Sequence, residues 1–169
     1  AKAVTNGFQP LGGVLVSDKI ASVITAKGGE FAHGFTYSGH PIACSAAMAT
    51  LDIMQSENIF DRVRDHAAPY MQKRWAELGE HPIVGHTRGL GMFGSMELVR
   101  NKETRERLAP DQISGGICRD LAIENGLVMR AVGDSMIISP PLICTDAEID
   151  TLIERATKAL DLTAERFSV

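Results

Sequence analysis

Apolar residues in the first third of the chain form one short run and two helical patterns. The run Gly12–Val16 predicts a short buried strand. Ile20, Val23 and Ile24 have the spacing of the helix that should follow it. Pro41 suits the first turn of a second helix, which carries small apolar residues on nearly every side and is expected to be buried. One strand and two helices cannot bury these surfaces by themselves, so we expect them to pack on a larger fold.

The pattern changes near residues 55 to 60 and becomes amphipathic. Apolar residues at every third or fourth position predict a surface helix between Phe60 and Leu78, which Pro69 should bend or interrupt. The following stretch GHTRGLGMFGSMELV alternates between large apolar and other residues. This alternation predicts a strand whose glycines allow other parts of the backbone to come close.

A hairpin between two helices is predicted for the rest of the chain. Segments 126–130 and 136–138 flank the turn Gly133-Asp134 and predict an antiparallel pair. The helix before this hairpin is marked by Ile117 and its apolar neighbours one turn away on either side. The motif Thr145-Asp-Ala-Glu148 predicts a capping box at the start of the last helix.

The chain is therefore expected to have two parts. Residues 1–57 contain the buried elements, and residues 58–169 form an α+β unit of about three strands and three helices. With 169 residues, of which 44% are hydrophobic, the chain can bury a sizeable core. This composition excludes a disordered chain and a small scaffold held by disulfides.

Charge and cysteine content narrow the class of protein further. The net charge is −4, and the 17 Lys and Arg are scattered among 21 Asp and Glu, so no basic stripe predicts nucleic-acid binding. Three widely spaced cysteines without a CxxC pair fit a reducing compartment. No apolar run approaches the ~20 residues of a membrane span, so we expect no membrane partner and a cytoplasmic location.

Lys2 stands just before the turn-forming run AVTNGFQPLGG. A lysine near a chain end is commonly a solvated charge. However, Asn6-Gly7 and Gly12-Gly13 permit tight turns close to a ligand, and a desolvated lysine beside them can form a Schiff base with a carbonyl compound. Residue type and position leave both interpretations open.

The loop GFTYSGHP is a second candidate site. Thr36 and its neighbours place hydroxyl and backbone N–H groups just before a helix N-terminus, where a phosphate can bind. An ordinary helix cap is the alternative. His33 and His40 bracket this loop, but without a nearby cysteine or carboxylate cluster they are interpreted as hydrogen-bonding loop residues, and no metal site is predicted.

Arg130 ends an apolar segment just before the turn Ala-Val-Gly-Asp. Its planar guanidinium can bind a carboxylate through two parallel hydrogen bonds. The alternative is a salt bridge across the hairpin, for example to Asp134. Arg88 and Glu97 are interpreted as solvated strand positions.

Three stretches, in this order and spacing, carry a resemblance to a known family: AKAVTNGFQPLGGVLVS, HGFTYSGHPIACSAAMATLDIM and GLVMRAVGDSMIISPPLICTDAEID. Together they closely resemble the class III aminotransferases of fold type I, nearest to the omega-amino acid and amine:pyruvate transaminase branch. The resemblance implies an α/β fold, in which residues 1–57 are the end of the cofactor-binding large domain and residues 58–169 are the α+β C-terminal small domain.

The resemblance also implies roles for individual residues. Lys2 matches the lysine that holds pyridoxal 5'-phosphate and moves a proton between substrate and cofactor. Thr36, with the backbone around Phe35, matches the contact to the cofactor phosphate, which is made across a homodimer interface in this family. Arg130 matches the arginine that binds the substrate carboxylate and swings aside for amines that lack one.

By the same resemblance, the protein is expected to move an amino group from an amine or omega-amino acid to a keto acid such as pyruvate. The family's N-terminal segment, which carries most of the parallel sheet and further cofactor contacts, is absent from these 169 residues and is expected as a partner. A non-enzymatic fragment or partner-binding remnant is the alternative, as is another pyridoxal phosphate enzyme of the same fold, namely an aminomutase, racemase or decarboxylase.

Overall fold

The computed structural model describes residues 3–30, 32–109 and 113–169. The chain divides between Asn58 and Ile59 into two compact units, one residue after the boundary predicted from sequence. We call residues up to 58 the first unit and residues 59–169 the second unit. None of the helices in the described ranges has the length and apolar character needed to span a membrane.

The first unit consists of a 3₁₀ turn, Ala3–Thr5, and two helices, α1 (Asp18–Lys27) and α2 (Pro41–Ser56). Both helices begin where the sequence predicts them, α1 after Ser17 and α2 with Pro41 in its first turn. Within the described residues only Ala43 and Ala47 of α2 are buried, so this unit does not itself provide the burial expected for the helix. The unit provides too few elements to cover the remaining apolar faces of the helix.

The strand predicted over Gly12–Val16 is also not observed. Val14 and Leu15 are fully exposed, and this segment pairs with no strand among the described residues. A strand exists only through its hydrogen-bonded neighbours, and the described part of the first unit contains none. Apolar composition alone therefore did not decide the local structure.

The second unit is built around an antiparallel sheet with the strand order β1-β2-β5-β4, and a short strand β3 pairs with β2 beyond this path. The strands are β1 (Val84–Leu90), β2 (Phe93–Asn101), β3 (Glu106–Arg107), β4 (Arg130–Val132) and β5 (Ser135–Ile138). The single strand predicted over GHTRGLGMFGSMELV is wrong, since this stretch is the β1-β2 hairpin. It turns at Gly91, whose φ of 62° is favourable only for glycine.

The hairpin predicted around Gly133-Asp134 is confirmed, but its first strand is β4 (Arg130–Val132), which shares only Arg130 with the predicted segment 126–130. Arg130 of β4 lies opposite Ile137 of β5, and Val132 lies opposite Ser135. Gly133 takes a left-handed conformation, with a φ of 60°, that closes the short turn. Strand β4 lies at one end of the strand order.

Pro69 interrupts the first long helical segment, as predicted. The segment consists of α3 (Ile59–Arg62), a π-helical turn (Val63–Ala67) and α4 (Ala68–Glu77). Pro69 lies in the first turn of α4, where its lack of an N–H group is tolerated. The wider π turn directly before it accommodates the break in the hydrogen-bond ladder.

Helices α5 (Ser114–Glu124) and α6 (Asp146–Phe167) complete the second unit. The capping box of α6 is confirmed: Glu148 N donates to Thr145 Oγ1 over 3.3 Å, and Thr145 N donates to Glu148 Oε2 over 2.8 Å. Helix α4 packs on β1, α5 packs on β4 and β5, and α6 packs on α4 and α5. The core between them contains the fully buried Trp75, Met96 and Met136.

Candidate functional site

The residues predicted to form the site fall into three parts of the chain. Lys2 lies outside the described residues, so only the loop that follows it is described. Phe35 and Thr36 lie in the first unit, and Arg130 lies in the second. The structure therefore describes the segment around Thr36 and the segment around Arg130 each within its own unit.

The loop after Lys2 is held by local hydrogen bonds. Asn6 N donates to Ala3 O, and the buried Thr5 donates through Oγ1 to Gln9 O over 2.6 Å. Asn6 and Gly7 both have positive φ, 49° and 81°, as the predicted tight turn requires. These contacts give the segment next to Lys2 a defined backbone.

In the turn around Thr36, some hydrogen-bond donors are paired within the turn and others are not. Phe35 N donates to Ser38 Oγ over 3.0 Å, and Ser38 N donates back to Phe35 O over 2.9 Å. Within the described residues, the Thr36 hydroxyl and the N–H groups of Thr36 and Tyr37 donate no hydrogen bond. Thr36 is exposed, so its hydroxyl and adjacent N–H groups remain available to an anion, whereas the Phe35 N–H is already used by Ser38.

A cavity of about 820 Å³ opens in the first unit between this turn and the loop before α1. Its walls come from two segments, residues 9–14 and residues 33–43, although Thr36 itself is not among the lining residues. His40 lines the cavity, and its buried Nδ1 has no hydrogen-bond partner among the described residues. His40 Nδ1 therefore does not form the predicted hydrogen bond with any described residue.

The described residues contain no cluster of three or more His, Cys, Asp or Glu side chains that can hold a metal ion. His33 instead makes an edge-on contact with the ring of Phe35, with ring centroids 5.6 Å apart. This contact places His33 against the turn that also carries Thr36.

Arg130 is exposed at the start of β4. Its guanidinium makes no hydrogen bond or ion pair with any residue in the described ranges. The alternative salt bridge to Asp134 is not formed, because Asp134 is occupied by Ser114 and Arg107. A free guanidinium at the end of a strand can receive a carboxylate from a ligand.

Asp134 is the residue that the sequence reasoning did not interpret correctly. Its Oδ1 accepts hydrogen bonds from Ser114 N, Ser114 Oγ and Gly115 N, and its Oδ2 accepts one from Arg107 Nε over 3.0 Å. Partial burial alone would raise the pKa of this carboxyl, but the bonds from Ser114 and Arg107 outweigh burial and lower the pKa below its ordinary value. One signal in the sequence could have indicated this role: a turn aspartate lies twenty residues after the start of a helix that has no acidic residue in its own first turn.

Arg88 and Glu97 were interpreted as solvated positions, and the structure pairs them. Arg88 Nη2 lies 3.1 Å from Glu97 Oε1 across the β1-β2 hairpin, with both side chains largely exposed. One row of paired residues crosses the strands β4, β5, β2 and β1 and consists of Arg130, Ile137, Ser95 and Arg88. Arg88 is therefore paired with a carboxylate, whereas Arg130 in the same row has no such partner in the described part of the chain.

The sequence of this chain is similar to those of known aminotransferases. The family model described as "Aminotransferase class-III" matches residues 1–160. Putrescine–pyruvate aminotransferase of Pseudomonas aeruginosa is 53% identical over 164 residues, which cover 97% of this chain and 36% of that protein. The chain thus spans about a third of the length of the curated relatives it matches.

Solved transaminase structures match the fold as well. An (S)-enantioselective omega-transaminase from Thermomicrobium roseum superimposes with a TM-score of 0.87 at 37% identity, covering 95% of this chain and 36% of that one. The PMP-bound form of an aminotransferase from Vibrio fluvialis superimposes with a TM-score of 0.85 at 31% identity, covering 96% and 36%. The α/β fold class predicted from sequence is confirmed by these matches.

Proposed function

Because this chain belongs to the class III aminotransferases, we propose that the protein moves an amino group from an amine or omega-amino acid to a keto acid such as pyruvate. The observation that carries this proposal is the 53% identity to a putrescine–pyruvate aminotransferase across nearly the whole chain. The transaminase matches do not favour the alternatives, a non-enzymatic fragment or a different pyridoxal phosphate enzyme.

Pyridoxal 5'-phosphate is the cofactor that we propose, and the described residues fit its phosphate group. A phosphate needs several hydrogen-bond donors, and the Thr36 hydroxyl and the N–H groups of Thr36 and Tyr37 have no other acceptor among the described residues. Thr36 and Tyr37 lie five and four residues before Pro41, the first residue of α2, and a helix N-terminus favours a negative charge. When bound, the cofactor supplies an electron sink for cleavage of bonds at the amine carbon.

Lys2 is proposed to hold the cofactor and to move a proton at the amine carbon of the substrate. A lysine amine can accept this proton when a nearby positive charge or desolvation lowers its pKa, because more of the amine is then unprotonated near neutral pH. The hydrogen bonds between Ala3 and Gln9 limit the backbone motion of the loop that follows Lys2 in the sequence. Such restriction favours a fixed position of the base relative to the substrate.

Arg130 is proposed to orient the keto acid by binding its carboxylate. The two parallel N–H donors of a guanidinium match the two oxygens of a carboxylate and so fix the direction of the bound acid. Because Asp134 is bonded elsewhere, its charge does not occupy Arg130. An amine without a carboxylate makes no such contact, which supports the use of both substrate classes at one site.

The assembly is proposed to be a cytoplasmic homodimer that includes an N-terminal part of the same protein. The first unit supports this proposal, since apolar side chains of α1 and α2 remain exposed, among them Ile20, Val23, Ile42 and Met48. Exposed apolar groups of this number are typical of surfaces that pack on another part of a fold or on a partner.

The direct test is a pair of half-reactions with the purified full-length enzyme that contains this chain. We expect putrescine or an arylalkylamine to convert the cofactor to its aminated form, and pyruvate to convert it back with formation of alanine. Chromatographic detection of alanine in stoichiometric amounts would support the proposal. If the amine converts the cofactor but pyruvate does not restore it, the proposed acceptor is wrong.

A further inference from the structure

We propose that Asp134 is a positioning residue for Arg130, and hence for binding of the keto acid carboxylate. The inference rests on the proposed function of Arg130 and extends it to a residue outside the substrate contact. Asp134 would act through the β4-β5 hairpin, by attaching its turn to helix α5 and to strand β2.

Strand β4 by itself gives Arg130 little support. It has three residues, and among the described strands it pairs only with β5. Arg130 is the first of these residues, opposite Ile137. A short strand at the edge of a sheet is easily displaced, so the position of Arg130 depends on how the hairpin is held at its turn.

Asp134 holds that turn from several sides. Its carboxylate accepts from Ser114 N over 2.8 Å and from Ser114 Oγ over 2.7 Å at the start of α5, and from Arg107 Nε of β3 over 3.0 Å. Its backbone carbonyl accepts from Leu98 N of β2 over 2.9 Å. One turn residue therefore connects the hairpin to three other elements of the second unit.

The contact between the turn and α5 is also close in space. A Cβ atom on Gly115 would lie 2.2 Å from Gly133 O, so only glycine permits this approach. Helix α5 in turn packs on β4 and β5. The side chain of Asp134 thus acts as an N-terminal cap for α5 that is supplied by the hairpin, and it joins the two elements into one block.

A carboxylate near an arginine can either pair with it directly or hold the backbone that carries it, and the bonds of Asp134 distinguish these two roles. A carboxylate paired to Arg130 would compete with the substrate, whereas Asp134 is only 17% exposed and is bonded to Ser114 and Arg107 instead. Its effect on Arg130 therefore passes through the backbone of β4. Loss of Asp134 should disturb carboxylate binding and leave chemistry with an amine nearly unchanged.

The test compares Asp134→Ala, Asp134→Asn and the matched control Asp150→Ala in the full-length holoenzyme. Asp150 is a suitable control because it also accepts bonds from an arginine and a hydroxyl, Arg74 and Tyr70, but on the helices α4 and α6. For each variant, single-turnover rates with pyruvate and with an arylalkylamine are measured, together with the Kd of pyruvate by calorimetric titration.

For Asp134→Ala we expect the KM and Kd of pyruvate to rise about tenfold with kcat and the amine half-reaction changed by less than about twofold. Asp134→Asn, which keeps one carbonyl acceptor for Ser114, should lie between this variant and the wild type. Asp150→Ala should show no selectivity between the substrates. Equal losses in both half-reactions, an unchanged Kd, or the same selectivity in Asp150→Ala would overturn the inference.

The binding measurement separates this inference from the proposed function. If the wild-type protein binds pyruvate but does not transaminate, the proposed reaction is wrong, and the Kd of Asp134→Ala still decides the positioning role. If the wild-type protein does not bind pyruvate at all, the positioning role is overturned as well.

Discussion

The indole ring of Trp75 lies directly against the backbone of Gly94. A Cβ atom on Gly94 would come within 2.7 Å of Trp75 Cε2, and Trp75 Nε1 donates a hydrogen bond to the neighbouring Ser95 O over 3.1 Å. Helix α4 and strand β2 are therefore joined at one place by a flat aromatic contact and a buried hydrogen bond. Only a residue without a side chain fits between them.

Gly94→Ala should destabilise the second unit, because the added methyl group has no space beside Trp75. Overpacking of this kind costs about 1–3 kcal/mol of unfolding free energy. Urea unfolding of the 169-residue chain, followed by the fluorescence of its single tryptophan, measures this change. Gly116→Ala is the control, since a Cβ atom there meets no neighbour within 4 Å and should keep or raise stability. A midpoint for Gly94→Ala equal to that of the control would contradict the contact.

Arg130→Ala should separate the two substrate classes. Loss of a charged partner for the keto acid carboxylate is expected to cost about 2–5 kcal/mol in the pyruvate half-reaction, while an arylalkylamine without a carboxylate should be nearly unaffected. Single-turnover rates with each substrate give the comparison. Arg119→Ala is the matched control, because Arg119 is an exposed arginine paired with Asp120 on α5. Equal losses with both substrates would rule out the carboxylate role of Arg130.

Much of the second unit could be predicted from the sequence, because its signals are local. The α6 capping box and the turn at Gly133 each depend on residues that are close in the chain. The β1-β2 hairpin was missed because the polarity alternation continues across Gly91 and gives no sign of the reversal. Once the hairpin was missed, the pairing of Arg88 with Glu97 could not be predicted, since it depends on the register of two strands.

The first unit and the candidate site were less predictable, for a different reason. Gly12–Val16 has strand composition but no described neighbour with which to form a ladder, so its structure depends on contacts outside the local sequence. The bonds from Ser114 to Asp134 join residues twenty positions apart through tertiary packing. Thr36 and Arg130 were candidates from residue type and position, a family resemblance implied their specific roles, and those roles stay predictions.

Thr36→Ala should weaken retention of the cofactor without abolishing its attachment. One phosphate hydrogen bond is lost, and a charge-assisted bond of this kind contributes roughly 1.5–3 kcal/mol, so the Kd of the cofactor should rise about tenfold or more. Equilibrium dialysis of the full-length enzyme measures this Kd. Thr36→Ser keeps the hydroxyl and should restore most of the affinity. Thr50→Ala is a further control, because the Thr50 hydroxyl donates to Ala46 O within α2. An unchanged Kd in Thr36→Ala would indicate that the turn is only a helix cap.

Lys2 should carry the cofactor after chemical reduction. We expect borohydride treatment of the full-length holoenzyme to add the cofactor mass to the peptide that contains Lys2, because a lysine Schiff base is reduced to a stable amine. Peptide mass spectrometry identifies the modified residue. Lys19 and Lys27 of α1 serve as internal controls in the same digest. A modification on Lys19 or Lys27 in place of Lys2 would contradict the proposed attachment of the cofactor to Lys2.

The lowered pKa of Asp134 predicts a specific pH dependence of stability. The pKa of Asp134 in the folded state lies below its unfolded value of about 3.9, so the ionised carboxylate stabilises the folded state. This stabilisation is present above about pH 4. It is lost as the pH falls through the folded-state pKa. Asp134→Asn should therefore be less stable than the wild type near neutral pH. The difference between the urea midpoints of the two proteins, followed by Trp75 fluorescence from about pH 7 to about pH 3, should become smaller as the pH falls below about 4. A difference that stays constant over this range would show that the charge of Asp134 does not contribute.

The place of β4 at the end of the sheet has a consequence for protein engineering. Val128, just before β4, and Val132, the last residue of β4, are both exposed, two residues before and after Arg130. Replacing Arg130 with an aliphatic residue, to admit bulky amines, would create three exposed apolar side chains at and beside an edge strand that can recruit strands from other molecules. The proposed role of Arg130 would thus link substrate scope to colloidal solubility through a single guanidinium. A designer who removes it should restore a charge nearby, for example with Val132→Lys, in the same step.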